Sequence, residues 1–123
     1  TNSVSCTSAF SQKAAAAAIQ GPQDSVRMML KEFKERSKIV VDGFNDIKGI
    51  SCIQPKGAFY AFPNIKETGY KSQELSDALL NQGVAVLPGT SFGKYGEGYL
   101  RISFANSREN LVKALNIIKE FLD

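Results

Sequence analysis

Residues 98–105 read Gly-Tyr-Leu-Arg-Ile-Ser-Phe-Ala, and this stretch decides how the second half of the chain folds. Its apolar and polar side chains alternate, which is typical of a strand with one buried face. The apolar positions are Leu100, Ile102 and Phe104. The sequence therefore predicts a strand over residues 99–105 that directs Arg101 away from the core.

One helix is predicted before this strand in the chain and another after it. Asn106 is the expected N-cap of a last helix, and Glu109 stands where a capping box needs an acidic residue. The buried stripe of that helix is Leu111, Leu115, Ile118 and Leu122. An earlier helix begins near Ser72 and ends at Gly83. Its apolar stripe is Leu75, Ala78 and Leu79.

Three more short strands are expected earlier in the chain, over residues 50–53, 58–62 and 84–87. Their residues are apolar or aromatic, and turn-forming residues separate them. The loop over residues 88–98 contains four glycines. With the two helices above, the second half of the chain has the order β-β-α-β-β-α.

The first half of the chain has a helical pattern. Ser8 is a candidate cap for an alanine-rich helix that ends at Gly21, although a flexible low-complexity tract is the alternative. A second, long helix runs from Pro22 to about Phe44. Its predicted apolar stripe is Val26, Leu30, Phe33, Val40 and Phe44. Because helices and strands are largely segregated and the sheet is small, the pattern indicates an α+β fold.

Composition narrows the possible chemistry. The chain has 123 residues, a formal net charge of +3, two cysteines and no histidine. A Ser-His-Asp triad, a Cys-His pair and a histidine-ligated zinc are therefore excluded within this chain, and no other metal cluster stands out. Acid–base chemistry would need a strongly shifted group or an imported cofactor.

The remaining compositional features have simple interpretations. Cys6 and Cys52 are interpreted as small apolar residues, because nothing favours an oxidising compartment, and we expect a cytoplasmic protein. No secretory signal or membrane-length apolar run is present. A basic cluster is interpreted as a solvated helix face, since a nucleic-acid patch would need broader basicity and interleaved aromatics. The cluster is Arg27, Lys31, Lys34, Arg36 and Lys38.

Three features could carry function. Residues 89–94 superficially resemble a phosphate-binding loop, but the spacing is one residue short and Tyr95 stands where a magnesium-binding hydroxyl belongs. Arg101 is either a solvent-facing arginine or an anion site that grips a carboxylate with two parallel hydrogen bonds. The aromatic strand that contains Phe59 and Tyr60 either packs in the core or lines a pocket.

Three stretches in this order and spacing resemble the closing part of class I pyridoxal-phosphate aminotransferases, the aspartate aminotransferase family. They are Pro55-Lys56-Gly57-Ala58-Phe59-Tyr60, the run from Gly83 to Gly93, and the run from Gly98 to Ala105. Residues 11–15, the long basic helix and residues 107–122 fit the same family, so the resemblance covers essentially the whole chain. It implies a small, mostly antiparallel sheet packed with helices, as in the small domain of fold-type I pyridoxal-phosphate enzymes.

The resemblance also implies roles for individual residues. Arg101 matches the family arginine that binds the α-carboxylate of the amino-acid substrate, and Phe59 is expected to line the substrate side of the site. The lysine that carries pyridoxal phosphate in the family has no counterpart among the lysines here, and the other cofactor-binding residues would precede Thr1. No catalytic or cofactor-binding residue is therefore expected in this chain.

The resemblance further implies a fragment of a larger enzyme. Residues 1–47 would form a helical lead-in and inter-domain helix, residues 48–123 the small domain, and the cofactor-binding large domain would be missing. The intact enzyme would be a homodimer that uses amino-acid and 2-oxo-acid substrates, whereas the isolated chain would be inactive. Two alternatives stay open: a stand-alone module that binds small carboxylates, and the same segment of a related pyridoxal-phosphate lyase or aminocyclopropane-carboxylate synthase.

Overall fold

The computed structural model describes residues 6–123. Its backbone contacts divide the chain into two compact units, Thr1–Lys31 and Glu32–Asp123. The expected boundary between residues 1–47 and residues 48–123 stays a prediction. Residues 1–5 of the first of these segments lie outside the described part. None of the helices within residues 6–123 has the length and apolarity needed to cross a membrane.

Two helices account for most of the first half of the chain, as predicted. Helix α1 spans Ala9–Gln20 and buries no residue, and helix α2 spans Asp24–Asn45. Ser8 is the N-cap residue of α1, as predicted, but its hydroxyl makes no capping hydrogen bond and lies 2.8 Å from Ser11 Oγ. The expected start of α2 at Pro22 is two residues too early.

The apolar stripe predicted for α2 is only partly buried. Val40 and Phe44 are fully buried, but Val26 and Leu30 are 51% and 53% exposed, so their predicted burial is wrong. Periodicity shows which side of a helix is apolar, but it cannot show where along the helix a packing partner is present.

The second unit contains a small antiparallel sheet, which confirms the predicted α+β class. Strand β1 is Tyr60–Ala61, β2 is Leu87–Pro88 and β3 is Leu100–Ser103. The order is β1-β3-β2, and both outer strands pair antiparallel with β3. The long central strand is therefore the one whose alternation was clearest in the sequence.

The predicted outer strands are shorter in the structure. Residues 50–53 contribute only an isolated bridge between Ser51 and Asn64, and the apolar run 84–87 enters the sheet only at Leu87. Apolar composition predicted burial correctly for Val84 and Val86. A ladder, however, also needs a partner strand at the right distance, which composition does not specify.

The core lies between one sheet face and the helices of the second unit. Helix α3 spans Ser72–Asn81 and helix α4 spans Arg108–Leu122. They bury four leucines and an isoleucine beneath the inward face of β3. These residues are Leu75, Leu79, Leu111, Leu115 and Ile118. The inward face of β3 is Leu100 and Ile102, and Phe104 follows directly after the strand; all three are buried as predicted.

The cap of α4 differs from the prediction. Ser107, not Asn106, is the N-cap, and its Oγ accepts a hydrogen bond from the Asn110 backbone N–H at 3.2 Å. The Asn106 side chain accepts instead from the Ser107 N–H. Both residue types cap helices well, so the sequence could not choose between neighbours.

The two cysteines have different surroundings. Cys52 is buried in the core, and burial raises the pKa of its thiol. Cys6 is exposed, and both thiols are free. The apolar interpretation therefore holds for Cys52 but not for Cys6.

One carboxylate joins α2 to α4 within the second unit. Glu32 accepts hydrogen bonds from Arg108 Nη2 at 2.6 Å and Nε at 3.0 Å, and from Arg36 Nε at 2.8 Å. The hydrogen bonds from Arg108, reinforced by Arg36, lower the pKa of Glu32 to about 2. The ionised carboxylate is therefore favoured in the folded chain.

This geometry predicts a loss of stability in acid. Because the folded-state pKa of Glu32 is depressed, its contribution is present above the ordinary carboxyl pKa and disappears as pH falls toward about 2. In urea unfolding followed by circular dichroism, Glu32→Gln should lower the midpoint near neutral pH but not at the acid end of that window. Glu35→Gln is the control, because the described chain shows no ion pair for Glu35. A pH-independent deficit in Glu32→Gln would contradict the assignment.

Candidate carboxylate-binding site

Arg101 lies in the middle of β3, on the sheet face opposite the core. Its register partner across the ladder is Leu87, while Tyr60 is paired with Ser103. Directly opposed residues of an antiparallel pair share a face, and so do residues two apart on one strand. The side chain is half-buried. The alternation of residues 99–105 thus predicted correctly which way Arg101 points.

The guanidinium of Arg101 lies against two aromatic rings. Its Cζ is 3.9 Å from the centroid of the Phe92 ring and 4.4 Å from the centroid of the Tyr60 ring. Such distances are within the range of cation–π contacts. Within residues 6–123, no carboxylate forms an ion pair with Arg101. The charge is therefore positioned by aromatic contacts and is left without an acidic partner in the described chain.

A small cavity opens beside this arginine. It has a volume of about 230 Å³. Its lining residues are Tyr60, Ala85, Val86, Leu87, Arg101 and Ser103. The walls are thus mostly apolar, with one cation and two hydroxyl groups. A cleft of this kind suits a small organic anion, because it places a cation beside apolar contact surface and the cation fixes the orientation.

The glycine loop that precedes β3 supplies Phe92. The loop forms two 3₁₀ helices, Gly89–Phe92 and Lys94–Gly96. Gly89 and Gly96 are buried where the two segments meet, and a Cβ on either one would collide with the backbone of the other. The loop therefore folds back on itself through a close backbone contact. It leads into a strand rather than a helix N-terminus, so it lacks the strand–loop–helix arrangement of the phosphate-binding loop that its sequence superficially resembles.

Ser72 and Glu97 fasten the end of this loop to the start of α3. The Glu97 carboxylate accepts hydrogen bonds from the Ser72 N–H at 2.9 Å, from the Ser72 hydroxyl at 3.1 Å and from the Gly98 N–H at 3.1 Å. The Gly98 N–H also donates to Ser72 Oγ at 2.8 Å. The bond from the Ser72 N–H is the largest cause of a lowered pKa for Glu97. Since Gly98 leads directly into β3, these contacts fix where that strand begins.

Phe59, the second predicted site residue, lies one ring away from the arginine. Its ring centroid is 4.4 Å from that of Tyr60 and 6.2 Å from that of Phe33, and its side chain is 40% exposed. Its role in lining a substrate site stays a prediction. Tyr60 belongs to the aromatic strand that the sequence offered as a possible pocket wall, but Phe59 was the residue chosen from it. Phe92 was not predicted at all, although an aromatic residue within a glycine-rich loop was a signal that could have indicated it.

The lysines of the chain do not fit a pyridoxal phosphate site. A lysine that forms a Schiff base is activated in a desolvated pocket or beside another cation. Ten of the eleven lysines are exposed, and the eleventh, Lys119, pairs with Asp46. Within residues 6–123, no buried side-chain polar atom lacks a hydrogen-bond partner. Among residues 6–123, no lysine therefore has the surroundings that a Schiff-base lysine requires.

Comparison with known sequences gives a consistent result. The family model for aminotransferase class I and II matches residues 1–118. An aspartate aminotransferase from Pyrococcus horikoshii is 50% identical over 100 residues, which cover 80% of this chain and 26% of that protein. The putative aminotransferase YugH of Bacillus subtilis is 44% identical over 118 residues, covering 95% of this chain and 30% of that protein.

Solved structures agree with the sequence relatives. The aspartate aminotransferase from Rhizobium meliloti matches with a TM-score of 0.88 and 34% identity, over 99% of this chain and 33% of that chain. An aromatic aminotransferase from Pyrococcus horikoshii matches with a TM-score of 0.84 and 42% identity, over 90% and 30%. The chain thus spans about 30% of the length of these relatives. On this evidence the chain belongs to the family of class I and II aminotransferases.

Proposed function

We propose that this chain is the carboxylate-binding, C-terminal part of an aminotransferase, and that Arg101 binds the α-carboxylate of the amino-acid substrate. The observation that carries the proposal is the geometry of Arg101. It stands in mid-strand beside a small cavity, lies against two aromatic rings, and has no acidic partner within residues 6–123. Family membership adds the class of reaction.

The chemistry of arginine suits this task. The guanidinium stays charged at all physiological pH values, and its edge offers parallel N–H donors that match the two oxygens of a carboxylate. Two such charge-assisted hydrogen bonds fix both the position and the orientation of the substrate's α-carbon. Holding a substrate in one orientation lowers the entropic part of the reaction barrier.

The names of the relatives support an α-carboxylate rather than a side chain as the recognised group. They include aspartate, aromatic-amino-acid and N-acetyl-LL-diaminopimelate aminotransferases. The side chains of these compounds differ, whereas an amino-acid carboxylate is common to them. A single arginine beside an apolar cavity can bind that common carboxylate. We further propose that Phe59 lines the substrate side of the site.

The remaining parts of the proposal concern the complete protein. Pyridoxal phosphate supplies the amino-group transfer chemistry in such an enzyme, and residues outside this chain would hold it. Residues 1–47 would act as a helical lead-in to a small domain over residues 48–123. The complete enzyme would work as a homodimer in the cytoplasm on amino acids and 2-oxo acids, and this chain alone would be inactive.

The direct test uses the protein encoded by the complete open reading frame. Purified protein is supplied with aspartate, alanine or phenylalanine together with 2-oxoglutarate, and new 2-oxo acid and new amino acid are both measured. We expect the two products in equal amounts and no turnover when 2-oxoglutarate is omitted. Turnover without an acceptor would identify a lyase instead. Carboxylate binding without any turnover, from a reading frame whose start codon lies directly upstream of Thr1, would identify a stand-alone binding module.

A further inference from the structure

Two aromatic rings determine how Arg101 can be approached. Phe92 lies at the end of the 3₁₀ helix Gly89–Phe92. Tyr60 lies on β1, which pairs with β3. Their centroids lie 3.9 Å and 4.4 Å from the guanidinium carbon of Arg101. These segments are far apart in the sequence, so their convergence on one cation is a product of the fold.

Ring contacts on a guanidinium restrict where its hydrogen bonds can form. The guanidinium is planar, and all of its N–H donors point outward in that plane. A ring that stacks on a face blocks that face but leaves the edge free. A carboxylate must then arrive in the plane of the guanidinium, which is the geometry of the bidentate pair. The rings also reduce the rotamer freedom that binding would otherwise have to remove.

Phe92 is held in place by its surroundings, although its side chain is 48% exposed. The Phe62 ring meets it edge-on, with a centroid separation of 6.2 Å. The close contact between Gly89 and Gly96 fixes the turn of the loop on which Phe92 lies. The half-exposed Phe92 ring therefore lies over the Arg101 cation because of the backbone contact within the loop and the contact with Phe62.

We propose that Phe92, with Tyr60, is a positioning residue that holds the Arg101 guanidinium in the orientation needed for a carboxylate. The inference rests on the proposed function, because it assigns Phe92 a role only if Arg101 binds substrate. Phe92 contacts the arginine and need not touch the substrate. Its loss should weaken carboxylate binding while leaving the reacting groups in place.

The test uses the complete enzyme and two non-reacting carboxylates, 3-phenylpropanoate and succinate, as competitive inhibitors. Phe92→Leu keeps apolar bulk but removes the π face. We expect it to raise the inhibition constants of both probes about 3- to 30-fold. The KM for amino acids should rise by a similar factor, with kcat changed less than about 3-fold, as is typical when uniform binding is lost. Phe92→Tyr restores a ring and should restore both constants.

Tyr95→Leu is the matched control. Tyr95 lies in the same loop, is 85% exposed and contacts Lys94 rather than Arg101. It should leave the inhibition constants unchanged. An equal rise in Tyr95→Leu, or a failure of Phe92→Tyr to rescue, would show a general effect of the loop and overturn the inference.

Arg101→Ala separates the two claims. If Arg101→Ala weakens inhibitor binding but Phe92→Leu does not, the positioning role is wrong and the proposed function stands. If Arg101→Ala leaves inhibitor binding unchanged, the carboxylate site itself is wrong, and the role of Phe92 falls with it.

Discussion

Replacing Arg101 with alanine in the complete enzyme is expected to lower kcat/KM for amino acids on the order of 100-fold or more. Each charge-assisted hydrogen bond to a carboxylate contributes about 1.5 kcal/mol or more, and a bidentate arginine makes two. Arg101→Lys should recover only part of the loss, because an ammonium keeps the charge but not the planar pair of donors. Steady-state kinetics on the three proteins measures both effects.

The control for this prediction is a substitution elsewhere on the surface. Arg27 is an exposed arginine of α2 whose only ion pair in the described chain is with Asp24, one turn away. Arg27→Ala should leave kcat/KM unchanged. Pyridoxal phosphate absorbance should be retained in every variant, since the proposal places the cofactor-binding residues outside this chain. An unchanged kcat/KM in Arg101→Ala would remove Arg101 from the substrate site.

Gly96→Ala is expected to destabilise the 123-residue chain by about 3 kcal/mol. Gly96 is buried, and a Cβ there would collide with the carbonyl group of Gly89. The obstacle is backbone rather than a flexible side chain, so the two 3₁₀ segments would have to separate. Urea unfolding followed by circular dichroism measures the change, and the same variant should disturb Phe92 and raise KM in the complete enzyme.

Gly57→Ala provides the comparison for that variant. A Cβ at Gly57 would have no neighbour within 4 Å. We expect its stability to remain within about 0.5 kcal/mol of the parent. If Gly96→Ala were as mild as Gly57→Ala, the close contact with Gly89 would not control the loop.

Several parts of the fold could be predicted because their causes are local. The start of α3 at Ser72 and the burial of Leu100, Ile102 and Phe104 follow from periodicity within a few residues. Alternation also placed Arg101 on the face away from the core. Strand extents could not be predicted in this way, because residues 50–53 and 84–87 lack a complete partner ladder.

The aromatic residues that contact Arg101 could not be predicted from local sequence patterns. Alternation indicates that Phe59 and Tyr60 point to opposite sides, but it does not indicate which of them faces the arginine. The register of β1 against β3 decides that question in favour of Tyr60. Phe92 reaches the arginine through the folded glycine loop, whose shape depends on the contact between Gly89 and Gly96.

Residue types at short spacings were enough to predict the α+β class and, through three matching stretches, the aminotransferase family. The role of Arg101 in holding a carboxylate stays a prediction. The local pattern did not show that Tyr60 and Phe92 flank Arg101, or that Ser72 and Glu97 fasten its strand; these contacts come from the fold. Such contacts join segments far apart in the chain, so strand register and loop closure create them and no local pattern encodes them.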